Sequence, residues 1–331
     1  MSPLGRGDAR VAIIGAASPL GTQIREELAR CRIAGERVNL YGSEAGTEMV
    51  LSEYDGEARM IQEPDVNEIL GHDVVFLCET GKVVQSIVDE QDPEALVIDV
   101  AGGAVGDRPA PLLHSAEQAE ALGEECNLLR VPHPLSAVLA EVLAPIEQAV
   151  GVERASAVVL RPASDFGEEG VEELRDQTVR LLNFADAPKE VFGRQLVFNV
   201  VPQQLFDRDG QVERRIGDEL TRMFGWERPR FGLQLVTVPV FYGHSIALTV
   251  VPREETNPAA LAALLGERSG LDVALEEGVA TPVEVTGDRR TSVAQIRPDG
   301  LGGFQLWLVA GEASRAAAAQ AIAAAGHLRA L

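Results

Sequence analysis

Two groups of residues in this sequence have types that could do chemistry, and the first of them also has the spacing. The first is Gly15-Ala16-Ala17-Ser18-Pro19-Leu20-Gly21, which follows the apolar run Arg10-Val11-Ala12-Ile13-Ile14 and leads into Leu20, Ile24 and Leu28 at helical spacing. This reads as strand, tight turn and helix. Ser18 is a natural N-cap and Pro19 a natural first helical residue, so free backbone N–H groups and the positive helix end face the turn, as a bound phosphate requires. The spacing is not GxGxxG, and the middle position of the looser GxxGxxG is Ser18. A strand-to-helix turn with no ligand has the same pattern. The second group is Ser136 and His244. A serine is a nucleophile only beside a base, and His244, which follows Tyr242-Gly243 at a strand start, is a base by type. No acidic third member of a triad can be placed from the sequence. The alternative is that Ser136 N-caps the helix implied by Leu135, Val138, Leu139, Val142, Leu143 and Ile146, with His244 a hydrogen-bonded, partly buried histidine.

These residues need elements to position them. After the first strand, Val38 to Tyr41, Asp73 to Cys78 and Ala95 to Asp99 read as further short apolar strands, with a helix near Gln85 to Asp89. Strands alternating with helices at this spacing indicate a parallel, doubly wound sheet. Past Val131 the texture changes. Ala157 to Leu160, Gln195 to Val200, Leu233 to Val240, Ser245 to Val251 and Phe304 to Val309 read as strands separated by long connections, an α+β pattern with a mostly antiparallel sheet. The alanine-rich Ala313 to Leu331 reads as a helix that packs closely. The expected fold class is therefore α/β plus α+β: a Rossmann-like nucleotide-binding domain over 1–130 and 313–331, and a second α+β domain over 131–312.

Composition excludes several classes. The chain has 331 residues, and 29 Lys and Arg against 51 Asp and Glu give a net charge of −22, which disfavours nucleic acid and anionic membranes as partners. No apolar run reaches the ~18 residues of a spanning helix, and MSPLGRGDAR lacks a signal-peptide core, so a cytoplasmic protein is expected. Cys31, Cys78 and Cys126 form no CxxC pair, which leaves a disulfide framework or structural zinc site without support. Cys126 reads as a small residue at a strand edge.

At Val131-Pro132-His133-Pro134-Leu135-Ser136-Ala137-Val138 and at Thr237-Val238-Pro239-Val240-Phe241-Tyr242-Gly243-His244 the chain resembles the aspartate-semialdehyde dehydrogenase family. Gly15 to Gly21 resembles the family's GATGxVG turn, Ser164 to Leu174 its SGAGxxGxxEL, and Phe198-Asn199-Val200-Val201-Pro202 its FNxxP. The resemblance implies a catalytic and dimerisation domain in the middle of the chain and a homodimer. It also implies a cysteine nucleophile, a histidine base, and arginines for a substrate carboxylate and for phosphate. Residue by residue, the nucleophile position is Ser136, the base position His244, the substrate arginine Thr237, a glutamine Arg161 and a lysine Arg215. The arginine of a DNSSAFR stretch falls on Val105, with Arg108 nearby, and a DN pair beside the nicotinamide falls on Gly311-Glu312.

Where NADP-binding members place a serine and arginine, the chain reads Gly42-Ser43-Glu44-Ala45-Gly46. Glu44 repels a 2′-phosphate and suits a ribose 2′-OH, so binding of NADP or NAD is expected to be weak or absent. The combination resembles the Usg-type homologues, which share the fold with an altered active site. The expectation is a protein without the parent activity, in which Arg161 and Arg215 retain attraction for a small anionic ligand. The alternatives are an active NAD(P)-dependent semialdehyde oxidoreductase and, more remotely, a serine hydrolase.

Overall fold

The structure, a computed structural model, describes residues 9–44, 50–90, 95–103, 110–113, 122, 126–206, 210–268, 270–274, 280–285, 290–311 and 313–329. The chain forms two compact units, residues 1–134 with 314–331, and residues 135–313.

In the first unit, strands β1 (Val11–Ile14), β2 (Val38–Tyr41), β3 (Val50–Tyr54), β4 (Glu57–Gln62), β5 (Val74–Leu77), β6 (Leu96–Asp99) and β7 (Leu128–Arg130) form one sheet in the order β3-β4-β2-β1-β5-β6-β7. All neighbours are parallel except the β3–β4 hairpin. Every residue of β1 and β5 is buried, which is why these strands are continuous apolar runs rather than alternating ones. Val11 and Ile13 pack on one face with Ile24 and Leu28 of α1 (Pro19–Arg30) and with Ala318, Ala321 and Ala325 of the C-terminal helix. Ala12 and Ile14 pack on the other, with Ile69 of α2 (Val66–Leu70) and Val84, Ile87 and Val88 of α3 (Lys82–Asp89). The hairpin was not among the strands expected from the sequence. Its turn is Asp55-Gly56, with φ of +51° and +80°, the left-handed pair that an Asp-Gly turn adopts.

The second unit contains α4 (Pro134–Val150), β8 (Val152–Arg161), α5 (Gly167–Leu182), β9 (Val201–Pro202), α6 (Gln211–Met223), β10 (Phe231–Thr237), β11 (His244–Pro252), α7 (Pro258–Gly266), β12 (Leu271–Val273), α8 (Pro282–Val285), β13 (Thr291–Pro298) and β14 (Phe304–Ala310). The C-terminal helix, α9 (Ala313–Arg329), completes the chain order. The sheet runs β12-β13-β14-β11-β8-β10-β9. The β12–β13 and β8–β10 pairs are parallel and the other four antiparallel.

The strand expected over Gln195 to Val200 is absent, and only Val201–Pro202 pairs with the sheet. Two side chains of α5 take the backbone bonds instead. The buried Gln177 accepts from the Leu196 and Val197 amides at 2.7 and 3.2 Å and donates to the Pro188 and Arg194 carbonyls at 2.8 and 3.0 Å. Glu173, one turn earlier, accepts from the Val191 and Phe192 amides. Buried backbone groups must find partners somewhere, and here a helix face supplies them. Phe198, at φ +59°, breaks the extended path.

Candidate functional site

The glycine turn of the first unit is built as its residues dictate. Gly15 stands at φ +74°, a conformation strained for any residue with a Cβ. Ser18 N-caps α1, accepting from the Gly21 amide at 3.0 Å, and Pro19 begins the helix. A Cβ on Gly21 would stand 2.2 Å from the Gly15 carbonyl oxygen, so this glycine is what lets helix and turn approach. Ala17 and Pro19 are exposed and Ala16 is buried, with Ser18 and Leu20 between these extremes. The turn fits a phosphate group by backbone geometry and by the helix dipole. Ser43 and Glu44 follow directly after β2 and Gly42. A carboxylate at Glu44 suits a ribose hydroxyl and opposes a further phosphate.

The polar centre of the second unit is a row across three adjacent strands. Thr237 on β10 pairs with Arg161 on β8, and Ser245 on β11 faces Leu160, which brings His244 level with Arg161. Residues level across neighbouring strands share a face of the sheet, so Thr237, Arg161 and His244 point the same way. Arg161 Nε donates to Asp165 Oδ2 at 2.7 Å, its Nη1 donates to Gln203, and its guanidinium lies 5.2 Å over the Phe166 ring. The other oxygen of Asp165 is 2.9 Å from His244 Nε2. Burial acts to raise the Asp165 carboxyl, but the facing charges of His244 and Arg161 override it and hold the group well below the usual carboxylate range. Three atoms of this row, Thr237 Oγ1 and both ring nitrogens of His244, are buried without a well-aligned hydrogen bond among the described residues, the Nε2 contact to Asp165 being one of distance only.

Ser136 lies elsewhere in the bonding scheme. The helix starts at Pro134, so Ser136 is inside its first turn rather than its N-cap. It is wholly buried. Its hydroxyl donates to Glu219 Oε2 of α6 at 2.6 Å, while Arg215 Nε donates to the other carboxylate oxygen at 2.7 Å. Glu219 is thus engaged from both sides, by the Ser136 hydroxyl and by Arg215. Ser136 and His244, expected as a nucleophile and base pair, each pair with a separate carboxylate.

Of the residues named from the sequence, the structure groups Arg161, Thr237 and His244 in one place, Ser136 and Arg215 in a second, and residues 15–21 in the turn. Val105, Arg108 and Glu312 lie outside the described residues. Three participants were missed: Asp165, Gln203 and Glu219. Asp165 and Glu219 had a local signal, each standing four residues after an arginine. The Cys78 thiol is fully buried, and burial pushes its pKa up, away from reactivity. Among the described residues no cluster of His, Cys, Asp and Glu suits a metal ion, and no helix is long and apolar enough to cross a membrane.

A doubly wound, mostly parallel unit with a glycine turn, and a second unit built on a mixed sheet with a polar row, make a two-unit architecture. Known proteins share it. A family model described as the semialdehyde dehydrogenase dimerisation domain matches residues 143–312, more than half of the chain, and the chain belongs to the semialdehyde dehydrogenase family. The USG-1 protein homolog of Pseudomonas aeruginosa is 26% identical over 322 residues, covering 94% of this chain and 95% of that protein. Aspartate semialdehyde dehydrogenase II from Vibrio cholerae, solved in complex with ASA, aligns over 98% of both chains with a TM-score of 0.85 at 25% identity. Aspartate semialdehyde dehydrogenase with NADP from Candida albicans, at 17% identity and a TM-score of 0.69 over 98% of this chain and 99% of that one, shares the fold.

Proposed function

We propose that this protein is a dimeric, Usg-like member of the semialdehyde dehydrogenase family that binds a nicotinamide dinucleotide weakly, without preference for NADP, and does not perform the parent thiol-dependent dehydrogenation. The observation that carries this reading is the state of Ser136, which stands where the family resemblance puts the nucleophile. Its hydroxyl is buried and donated to an arginine-paired carboxylate. A hydroxyl is a far weaker nucleophile near neutral pH than a thiol of pKa ~8.5, and here its hydrogen points at a carboxylate that Arg215 also engages rather than at His244. Thr237, at the position of the substrate arginine, offers one hydroxyl where a bidentate fork would grip a carboxylate.

The dinucleotide would be held by residues 15–21 and Glu44, and when bound it supplies hydride exchange. The chain's own contribution in the second unit is the Asp165–His244 contact at 2.9 Å and the Arg161 guanidinium, which faces Asp165 and Gln203 and on this reading draws a small anion to the same place. On this reading residues 1–130 with 313–331 make the dinucleotide-binding domain, and residues 131–312 a catalytic-like and dimerisation domain. Homodimerisation is supported by the family match and by the sheet face that carries Trp307, Ala247 and Val158 in one cross-strand row. Val158 and Ala247 are exposed there, and such a face calls for a cover. We assign the protein to the cytoplasm.

The test is steady-state reduction of NADP with aspartate semialdehyde and phosphate by wild type, Ser136→Cys, and Ser136→Cys with Thr237→Arg. We expect no useful rate for wild type or the single variant. Misplacing a reacting carbon by ~1 Å can cost ~10²-fold, so a thiol alone does not restore the pocket. Robust wild-type turnover refutes the non-catalytic reading. Recovery by the cysteine alone shows that the remaining pocket is competent.

A further inference from the structure

The space in front of the glycine turn is filled by a side chain of this protein. A Cβ built on Gly15 would stand 2.8 Å from Glu79 Cγ and 2.9 Å from Glu79 Oε2. The gap that a glycine leaves for close approach of a phosphate is therefore taken up by a carboxylate. Glu79 is held there from both sides of its loop. It follows Cys78, whose amide donates to the Ile14 carbonyl at 2.9 Å and whose carbonyl accepts from the Ser18 hydroxyl at 3.4 Å. The end of β5 is thus fastened onto the turn between β1 and α1, with the capping serine as one of the fasteners. Gly81, two residues on, approaches the Ser43 carbonyl closely enough that an added Cβ would lie 3.5 Å from it, so the ends of β2 and β5 converge beside the same turn.

A carboxylate at this place has a direct electrostatic meaning. The N-terminus of α1 carries the partial positive charge that makes a phosphate cradle, and the Glu79 carboxylate stands beside Gly15 at the same turn. A bound diphosphate would meet the Glu79 charge at short range, with Glu44 following on the neighbouring strand end. Each further phosphate on the ligand adds to the repulsion.

We propose that Glu79 is a specificity-determining residue of the dinucleotide site: a built-in anion that a diphosphate must displace, which lowers affinity for every dinucleotide and penalises NADP more than NAD. This rests on the reading of residues 15–21 as a dinucleotide site. It accounts for weak binding by a residue that occupies the cradle, in addition to the arginine missing after β2.

The experiment is titration calorimetry of the full chain with NAD and with NADP, on wild type, Glu79→Gln and Glu44→Gln, at low and physiological salt. Glu79→Gln keeps the size and shape of the side chain, removes its charge and replaces one acceptor oxygen by an NH2 donor. The expected result is about tenfold tighter binding of NAD by Glu79→Gln, equivalent to ~1.4 kcal/mol, a gain for NADP at least as large, and a smaller gain at higher salt. Glu44→Gln should favour NADP over NAD. Measurable binding that Glu79→Gln leaves unchanged or weakens overturns the proposal alone, since it would make Glu79 a spectator or a hydrogen-bond partner of the ligand. No heat with either nucleotide for any variant overturns the dinucleotide reading as well. Circular dichroism and thermal melts of Glu79→Gln establish that its fold is intact.

Discussion

Replacing Gln177 with leucine removes the side chain that stands in for a strand partner over residues 188–197, at almost constant volume. Four backbone groups lose a bond: the amides of Leu196 and Val197 and the carbonyls of Pro188 and Arg194. The bonds to both amides are buried, whereas those to the carbonyls are only partly so and water can replace the lost donor. A buried donor left unmade costs ~1–3 kcal/mol, so the two amides give ~2–6 kcal/mol. Burying leucine in place of the carboxamide returns roughly 1 kcal/mol. The expected loss is therefore about 1–5 kcal/mol, concentrated in one segment. Native-state hydrogen exchange on wild type and Gln177→Leu reads it directly, since the Leu196 and Val197 amides should exchange far faster while those of β8 and β11 keep their protection. If both amides stay protected and stability falls by less than 1 kcal/mol, the segment is held by packing of Phe192, Leu196 and Val197 and the reasoning is wrong.

Three other outcomes follow from single groups. Burial raises the Glu141 carboxyl to about 7 against the opposing hydrogen bond with Thr291. The folded state therefore binds more protons than the unfolded state between pH ~4.5 and ~7, and stability should fall as pH rises through that window; Glu141→Gln should flatten the slope in urea titrations and stabilise the protein at pH 8 by ~1–3 kcal/mol. Thr237→Val removes a buried hydroxyl that has no partner, and should raise the thermal midpoint by an amount corresponding to ~1 kcal/mol; a lowered midpoint would mean that the hydroxyl is bonded. Gly21→Ala forces a Cβ to within 2.2 Å of a main-chain oxygen and should cost more than ~1 kcal/mol in a melt, with α1 displaced from its turn.

The sequence displays most of the first unit because its signals are local. Fully buried parallel strands are uninterrupted apolar runs, and the Ser18-Pro19 pair marks a helix start whatever surrounds it. The Asp55-Gly56 hairpin is equally local, but Glu57 to Gln62 alternates only weakly. The stretch 195–200 was misread for a different reason: its residues are strand formers, but its hydrogen bonds go to a glutamine and a glutamate that look like ordinary helix-surface residues until α5 is folded over them. The site behaves likewise. The family resemblance points to Ser136, His244 and Arg161. The carboxylates that decide their behaviour, Glu219 and Asp165, lie 83 residues from Ser136 and at the start of a different element from His244, so only the tertiary arrangement reveals which base belongs to which group.

The row of Thr237, Arg161 and His244 sits on paired strands, and the spacing between strands, ~4.8 Å per step, is set by main-chain bonds that do not depend on side-chain identity. A substitution at one of the three positions therefore alters the chemistry presented there without moving its neighbours. Such a frame tolerates replacement of one functional group at a time, and selection can act on ligand and chemistry while the scaffold stays unchanged. That separation gives a physical route by which one architecture can come to hold both working dehydrogenases and relatives with different side chains at the same three places.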